Sequence, residues 1–323
     1  MKQTNFTLSI FAIIFTFLSC SKSNTNILTY QGDITFLTQK QIDDFVALGY
    51  SQINGDVEIG SVESPTNEIN NLNGLVDLKR IEGSLYIGKN DRLTNIDGLN
   101  NLSYIGSYLQ IRSNKTLINL DGLNMLESVN SDLFIEGNES LQNLDGFKNL
   151  SFIENKVSIY GNSKLSNLNG LVNVTSFRDD VIIYGNDILT NIDGLNKIVL
   201  IEGSLEINNN KSLTNIDGLS NLINISNDLT ISNNELLTNI NGLHNLSKVG
   251  VAVQIWGNKK LINLDGLQNL SSVPFFSIKL NEKLSNFCGI NDPFTSSNPN
   301  THKIQGNAYN PVYANFINGN CKQ

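Results

Sequence analysis

Histidine, cysteine and paired carboxylates are the side chains that most often do catalytic or metal-binding chemistry, and this sequence of 323 residues offers few such sets. Its two histidines, His244 and His302, stand neither beside a nucleophile nor at the spacing of metal ligands. Most of the sequence is a regular internal repeat, and no insertion interrupts it to form a cleft for a carboxylate pair. We therefore expect a protein that is not an enzyme and holds no metal or other cofactor, with a polysaccharide-active β-helix enzyme as the alternative.

Aspartate recurs directly before a series of regularly spaced glycines, and stacked carboxylates of this kind could bind calcium. These aspartates are Asp97, Asp121, Asp145, Asp193, Asp217 and Asp265. Asn73, Asn169 and Asn241 take the same position in other copies, and Asp or Asn before glycine is ordinary turn chemistry. The pattern favours turns over a calcium site.

The first of three cysteines, Cys20, follows Lys2 and an apolar stretch over residues 8–18. That stretch is too short to span a bilayer, which takes about 20 apolar residues, and is typical of a signal peptide. The run FLSC resembles a bacterial lipobox, which would make Cys20 the lipidated first residue of the mature chain. We expect a signal peptide over 1–19 and a lipidated cysteine with its tether over 20–33. An ordinary cleaved signal is the alternative.

Cys288 and Cys321 remain as a pair if Cys20 carries lipid. An exported protein meets an oxidising compartment, where such a pair usually closes. The sequence therefore predicts a disulfide between them, with two free buried thiols as the alternative.

Composition excludes two other classes of protein. Apolar residues make up 40% of the chain and charged residues 16%, which argues against wholesale disorder. The net charge is −8 and there is no basic run. Nucleic acid is not an expected partner, because its binding depends on Lys and Arg neutralising phosphates.

These residues sit on a long internal repeat, which is the dominant feature of the sequence. The glycine of an [Asp/Asn]-Gly-[Leu/Phe] motif recurs every 24 residues at Gly74, Gly98, Gly122, Gly146, Gly170, Gly194, Gly218, Gly242 and Gly266, and Gly289 follows after 23. One copy, residues 93–116, reads LTNIDGLNNLSYIGSYLQIRSNKT.

Leu109 and Ile111 in this copy alternate with polar residues as a half-buried strand does, and turn-forming pairs flank them. No segment of the repeat keeps a helical period. One copy cannot bury its own apolar side chains, but copies stacked about 4.8 Å apart can. The sequence predicts a mainly β protein: a single right-handed β-helix or leucine-rich-repeat-like solenoid of about ten 24-residue coils.

Two asparagine columns accompany the repeat. The first is Asn71, Asn95, Asn119, Asn143, Asn167, Asn191, Asn215, Asn239, Asn263 and Asn286, and the second is Asn90, Asn114, Asn138, Asn162, Asn186, Asn210, Asn234, Asn258 and Asn281. An amide both donates and accepts, so stacked amides can bond from copy to copy. They can also satisfy backbone groups that the corners leave unpaired. We predict structural ladders, and a ligand-binding role is the alternative.

The motif L-x-N-[IL]-[DN]-G-L-x-N-L-x-x-I-x-x-x-L-x-I-x-x-N resembles the receptor L-domain repeat over residues 50–290. That leucine-rich β-helix occurs in the ectodomains of insulin- and EGF-type receptors and in many bacterial exported lipoproteins. The resemblance implies recognition of a ligand or partner outside the cytoplasm. A cysteine-rich module, a transmembrane helix and a kinase are not found in this sequence, so signalling does not carry over.

Both ends of the repeat need caps, because open sheet edges recruit other strands. We expect an N-terminal cap over 34–60 with a helix over 38–48, whose start at Thr38 and Gln41 is a capping-box pattern, and a first strand over 57–59. The repeat domain then covers 61–290. A C-terminal cap over 291–323 should contain a helix that begins at Asn310-Pro311 and turns Tyr313, Phe316 and Ile317 toward the last copy.

Side chains next to the inward Leu and Ile must point outward, because side chains alternate along a strand. Aromatic and apolar residues, together with one arginine, are frequent at these positions and predict a ligand-binding face: Tyr86, Tyr108, Arg112, Phe134, Tyr160, Ile182, Tyr184 and Trp256. Simple strand propensity is the alternative.

We expect an outer-membrane lipoprotein, periplasmic or surface-exposed, that touches the membrane only through its lipid and binds a protein or glycan. A purely structural envelope protein is the third hypothesis.

Overall fold

Short parallel strands, each paired with its counterpart in the next repeat, build the fold. The computed structural model describes residues 27–61, 68–271, 273–296 and 302–323, so the predicted signal peptide and Cys20 lie outside the described residues. The protein is mainly β, as predicted, and the long stacks of repeating strands are consistent with a solenoid. None of the helices within these ranges is long and apolar enough to cross a membrane.

The larger stack is a parallel sheet of twelve strands. In sheet order they are β2 (Ile34–Phe36), β4 (Val57–Ile59), β6 (Leu85–Gly88), β8 (Leu109–Arg112), β10 (Leu133–Glu136), β12 (Val157–Tyr160), β14 (Val181–Tyr184), β16 (Leu205–Asn208), β18 (Leu229–Ser232), β20 (Ala252–Trp256), β21 (Phe275–Lys279) and β22 (Lys303–Gln305).

Two smaller parallel sheets contain a second strand from each of the first ten copies. The six-stranded sheet runs β1 (Thr29–Gln31), β3 (Gln52–Asn54), β5 (Arg80–Ile81), β7 (Tyr104–Ile105), β9 (Ser128–Val129) and β11 (Phe152–Ile153). The four-stranded sheet runs β13 (Ser176–Phe177), β15 (Leu200–Ile201), β17 (Asn224–Ile225) and β19 (Lys248–Val249).

A 3-10 turn lies at each [Asp/Asn]-Gly motif, and at Cys288-Gly289 in the last repeat. These turns are Asn73–Leu75, Asp97–Leu99, Asp121–Leu123, Asp145–Phe147, Asn169–Leu171, Asp193–Leu195, Asp217–Leu219, Asn241–Leu243, Asp265–Leu267 and Cys288–Ile290. The repeat glycine is needed for close approach, since a Cβ on Gly146 would lie 1.8 Å from the carbonyl oxygen of Leu120. Positive φ is used elsewhere, as at Gly161, which directly follows a strand.

The aliphatic columns form one continuous core. In the copy over 93–116 all seven predicted apolar side chains are fully buried: Leu93, Ile96, Leu99, Leu102, Ile105, Leu109 and Ile111. Neighbouring copies pair in register, so that Ile111 lies between Ile87 and Ile135. Each buried aliphatic side chain contributes about 1.5–3 kcal/mol before the loss of chain entropy. The prediction of inward-facing aliphatic columns is confirmed.

The N-terminal helix follows the prediction, but the strands begin earlier. Helix α1 spans Gln39–Phe45, Thr38 and Gln41 form both bonds of a capping box, and a 3-10 turn at Val46–Leu48 follows. Strand β1 lies inside the segment predicted as a tether, and Val57–Ile59 is the fourth strand and not the first. These early strands pair through backbone groups, and their sequences lack the repeat consensus.

The C-terminal segment folds differently in detail from the prediction. Helix α2 spans Asn291–Ser296 and α3 spans Tyr313–Ile317, with Val312 at its N-cap. Asn310 therefore does not cap α3; its Oδ1 accepts hydrogen bonds from the backbone and the amide of Asn307. Of the three side chains expected to face the last copy, Phe316 is buried, whereas Tyr313 and Ile317 are exposed.

Candidate ligand-binding face

The outward side chains of the twelve-stranded sheet form three columns, which together we call the exposed face. Each strand from β2 to β21 has an inward pair, such as Leu109 and Ile111 in β8. The leading column consists of the residues directly before these pairs, the middle column of the residues between their two members, and the trailing column of the residues directly after them. Strand pairing keeps each column in register, as for Tyr160, Tyr184 and Asn208 in the trailing column. All eight residues predicted for the ligand-binding face belong to these columns.

Tyr160 and Tyr184 form the clearest aromatic feature of this face. They are directly paired across β12 and β14, their ring centroids lie 5.1 Å apart, and 47% and 37% of their surfaces are exposed. The two other apolar residues predicted here, Phe134 and Ile182, are half-buried in the middle column. Ser158 lies between them in register, so the four residues do not form one unbroken apolar patch.

A groove of about 460 Å³ occupies the first four repeats of the face. Tyr86 and Tyr108 line it together with the carboxylates of Asp33, Asp56 and Glu58. Burial raises the pKa of Tyr86, and the nearby charge of Arg112 opposes that rise. The structure therefore brings Tyr86, Tyr108 and Arg112 together, but several repeats away from Tyr184.

Trp256 stands apart from both groups. It ends β20 in the trailing column, and Asn208 and Ser232 separate it from Tyr184. Both of these short side chains are buried, although their column faces outward. Ser232 Oγ donates to Asn208 Oδ1 at 2.8 Å, and Asn208 Nδ2 donates to Glu206 Oε2 at 3.2 Å.

Acidic side chains outnumber basic ones on the exposed face from β2 to β20. The carboxylates are Asp33, Asp56, Glu58, Asp132, Glu136, Asp180, Glu206 and Asp228, and the cations are Arg112 and Lys156. Glu136 is held on both oxygens, by Ser158 Oγ and by Gln110 Nε2. The face is therefore unsuited to polyanionic ligands, because it would repel them.

The second asparagine column is a hydrogen-bonded ladder. The backbone N–H and the side-chain amide of Asn114 both donate to Asn138 Oδ1, at 3.1 and 3.3 Å, and Asn138 repeats this toward Asn162. Each side-chain amide also donates to an isoleucine carbonyl, as Asn138 does to Ile111 at 2.9 Å. Asn307 continues the ladder into the C-terminal cap.

Among the described residues, eight side chains of the first asparagine column form no amide ladder, so the copy-to-copy prediction is corrected for Asn95, Asn119, Asn143, Asn167, Asn191, Asn215, Asn239 and Asn263. Of the side chains described in this column, only Asn286, at its end, reaches the preceding repeat, where its Nδ2 donates to Asp265 Oδ1 at 3.2 Å. Each of the eight side chains accepts a hydrogen bond from the backbone N–H two residues ahead, as Asn143 Oδ1 does from Asp145 at 3.0 Å. They are half-buried and start the 3-10 turns, because an Asx side chain there replaces a backbone acceptor.

A third asparagine column was missed. Asn101, Asn149, Asn173, Asn221, Asn245 and Asn269 each donate from Nδ2 to a backbone carbonyl of the preceding repeat. The recurring Asn-Leu of the motif was the available signal, but Met125 and Lys197 interrupt it. These side chains therefore also hold neighbouring repeats together, and we do not count them among the candidate ligand-binding residues.

Two of the cysteines and His302 make contacts that stabilise the fold. Cys288 and Cys321 form the predicted disulfide. His302 Nδ1 accepts the backbone N–H of Phe276 at 3.1 Å, and burial lowers the pKa of His302. Within the described ranges there is no group of three or more His, Cys, Asp or Glu side chains that could hold a metal ion.

A scan against protein-family models matched none of them, and a search of curated proteins found no relative.

Proposed function

We propose that this chain is a non-catalytic binding or adhesion lipoprotein of the cell envelope, which presents the exposed face to a protein or glycan ligand. The observation that carries the proposal is the exposed pair of Tyr160 and Tyr184 on a continuous hydrogen-bonded sheet. Exposed aromatic rings supply large contact areas at low entropic cost and are enriched where proteins bind partners.

The rigidity of the sheet supports this reading. The two tyrosines lie on β12 and β14, and each of these strands has a bonded neighbour on both sides. Side chains on such a frame lose little freedom when a ligand binds, because the backbone is already ordered. A surface that is ordered before binding suits recognition better than a loop would.

The finer architecture belongs to the same proposal. The chain is a single solenoid of about ten 24-residue coils, similar to the receptor L-domain of exported lipoproteins. The coil is right-handed, since connections between parallel strands of one sheet are right-handed in about 98% of cases. In this arrangement the exposed face follows the long axis and stays free along most of its length.

Export and anchoring complete the proposal. Cys20 carries the lipid that holds the protein at the outer membrane, on the periplasmic or the outer surface. The disulfide between Cys288 and Cys321 supports export, because such bonds persist in oxidising compartments. Contact with the membrane is through the lipid only.

Capture of a ligand from envelope extract tests the proposal. The immobilised intact chain should retain a protein or glycan that the double variant Tyr160→Ala with Tyr184→Ala loses. Phe152→Ala is the matched control, because Phe152 is an aromatic residue of similar exposure, 36%, on the six-stranded sheet. Equal capture by the double variant would contradict this face, and release of sugar products from added polysaccharide would favour an enzyme.

A further inference from the structure

The stretch of the exposed face from Tyr184 to Trp256 combines aromatic rings with a positioned carboxylate. Tyr184 and Trp256 close the two ends of the stretch in the trailing column, and each has 37% of its surface exposed. Between them, Glu206 and Thr230 stand half-buried in the middle column. Aromatic side chains around a few precisely placed polar groups are the usual lining of small-molecule binding sites.

Glu206 is held by a chain of hydrogen bonds that leaves one of its oxygens available. Asn208 donates to Glu206 Oε2, and Ser232 in turn holds the acceptor oxygen of Asn208. Both supporting side chains are buried, which fixes their positions. Glu206 Oε1 accepts no hydrogen bond from the residues that the structure describes. By contrast, both oxygens of Glu136 are engaged.

The charges of this stretch select among ligands. Its outward positions carry the carboxylates of Asp180, Glu206 and Asp228 and no lysine or arginine. A sulfated or uronic acid polymer would meet repulsion here without compensation. An uncharged ligand rich in hydroxyl donors would meet acceptors.

The spacing of the repeats fits a linear polymer. Tyr184 and Trp256 are separated by three strand-to-strand steps, on the order of 14 Å in all at about 4.8 Å per step. An extended β-linked sugar chain advances by a comparable step per unit. A chain laid along the long axis would therefore present one sugar to each repeat.

We propose that this stretch is a subsite for an uncharged β-linked polysaccharide, which lies along the axis with sugar rings stacked on Tyr184 and Trp256 and hydroxyl groups donating to Glu206. This inference rests on the proposed binding function and names its ligand class.

Binding of the intact chain to defined polymers tests the subsite. The probes are neutral β-glucan, xylan and mannan, the anionic polygalacturonate, and poly-lysine as a basic peptide, measured by calorimetry and by retardation in polymer-containing gels. We expect binding to at least one neutral polymer and none to polygalacturonate. Trp256→Ala and Tyr184→Ala should each weaken that binding tenfold or more, and Glu206→Gln should weaken it severalfold.

Phe152→Ala should leave binding unchanged, and the thermal midpoint of every variant shows whether it is folded. Failure to bind all three neutral polymers, or binding that survives both aromatic substitutions, overturns the glycan subsite. If poly-lysine or an envelope protein binds the face instead, the ligand class is wrong while the proposed binding function stands. If the Tyr160/Tyr184 capture experiment also retains nothing, the proposed function fails with it.

Discussion

Each asparagine of the buried ladder satisfies several backbone groups at once. Asn138 accepts from the backbone N–H and the amide of Asn114 and donates to the carbonyl of Ile111, and its side chain is fully buried. Because the site is shielded from bulk solvent, a missing partner costs the desolvation of the group left behind. The ladder is therefore a structural device with a large effect per residue.

Asn138→Ala should lower the free energy of unfolding by about 2–4 kcal/mol, because the buried N–H of Asn114 loses its acceptor and the Ile111 carbonyl and the Asn114 amide each lose a partner, at roughly 1–3 kcal/mol for a group left unsatisfied. Asn143→Ala is the matched control in the same repeat. It removes one half-buried turn bond and should cost about 1 kcal/mol or less. Denaturant unfolding of both variants compares the two losses. Equal losses would contradict the distinction between the ladder and the turn asparagines.

The sequence alone could not separate these two columns. Both contain asparagine at the same period, and both face turns, so type and spacing are identical. What differs is the direction of the chain at each corner, which points Asn138 into the stack and Asn143 along its own turn. By contrast, the outward positions of Tyr160 and Tyr184 follow from alternation along the strand, and the copy-to-copy register places Asn208 and Ser232 between Tyr184 and Trp256.

Among the helices and strands, those whose determinants lie within a few neighbouring residues could be predicted from the sequence. The capping box at Thr38 and Gln41 contains both of its partners, and α1 starts where they predict. Strand β1 could not be predicted in the same way, because it forms by pairing with β3, whose residues are more than twenty positions away in the chain. The start of α3 was predicted too early. Asn310 accepts hydrogen bonds from Asn307, which continues the asparagine ladder, and it therefore does not cap the helix.

The C-terminal cap should be sensitive to mild acid through His302. Its Nδ1 accepts the N–H of Phe276 and its ring packs against Phe276 and Phe294, so a proton on Nδ1 would remove the acceptor. Burial lowers the pKa of His302 from its ordinary value, about 6.5. The unfolded chain therefore takes up the proton at higher pH than the folded chain does. The stabilisation of the folded cap by neutral His302 is fully present above the ordinary pKa of histidine, and it is lost as the pH falls toward the lowered pKa of the folded state.

Hydrogen exchange of Phe276 at pH 7.5 and pH 5.5 measures this effect, with faster local opening expected at pH 5.5. His302→Asn should remove the difference, because its Oδ1 can accept the same bond without titrating. His244→Asn is the control, since His244 is exposed directly after the 3-10 turn Asn241–Leu243. An unchanged pH dependence in His302→Asn would rule out His302 as its source.

At the scale of the whole molecule, each repeat contacts chiefly its two neighbours, in register along every column. Stability in such an array is approximately a sum of repeat and interface contributions. The exposed face is equally regular. Adding or removing one whole repeat moves the outward side chains along the axis, but it does not turn them inward. The number of repeats therefore sets the distance between surface features such as Tyr184 and Trp256.

Removing one repeat in phase should leave a folded protein. Deletion of residues 209–232 takes out β18 and joins Asn208 to Asn233, which occupies the same place in the next repeat as Asn209, with both in the left-handed region. The core and ladder columns then continue, since Leu237 replaces Leu213 and Asn234 replaces Asn210. We expect a cooperative thermal transition at a moderately lower midpoint, because one interface is lost.

Deletion of only residues 209–220 is the control. It places turn residues against strands, and circular dichroism should show the β signal largely lost. Should both deletions melt alike, the phase of the aliphatic columns would not be what specifies this fold.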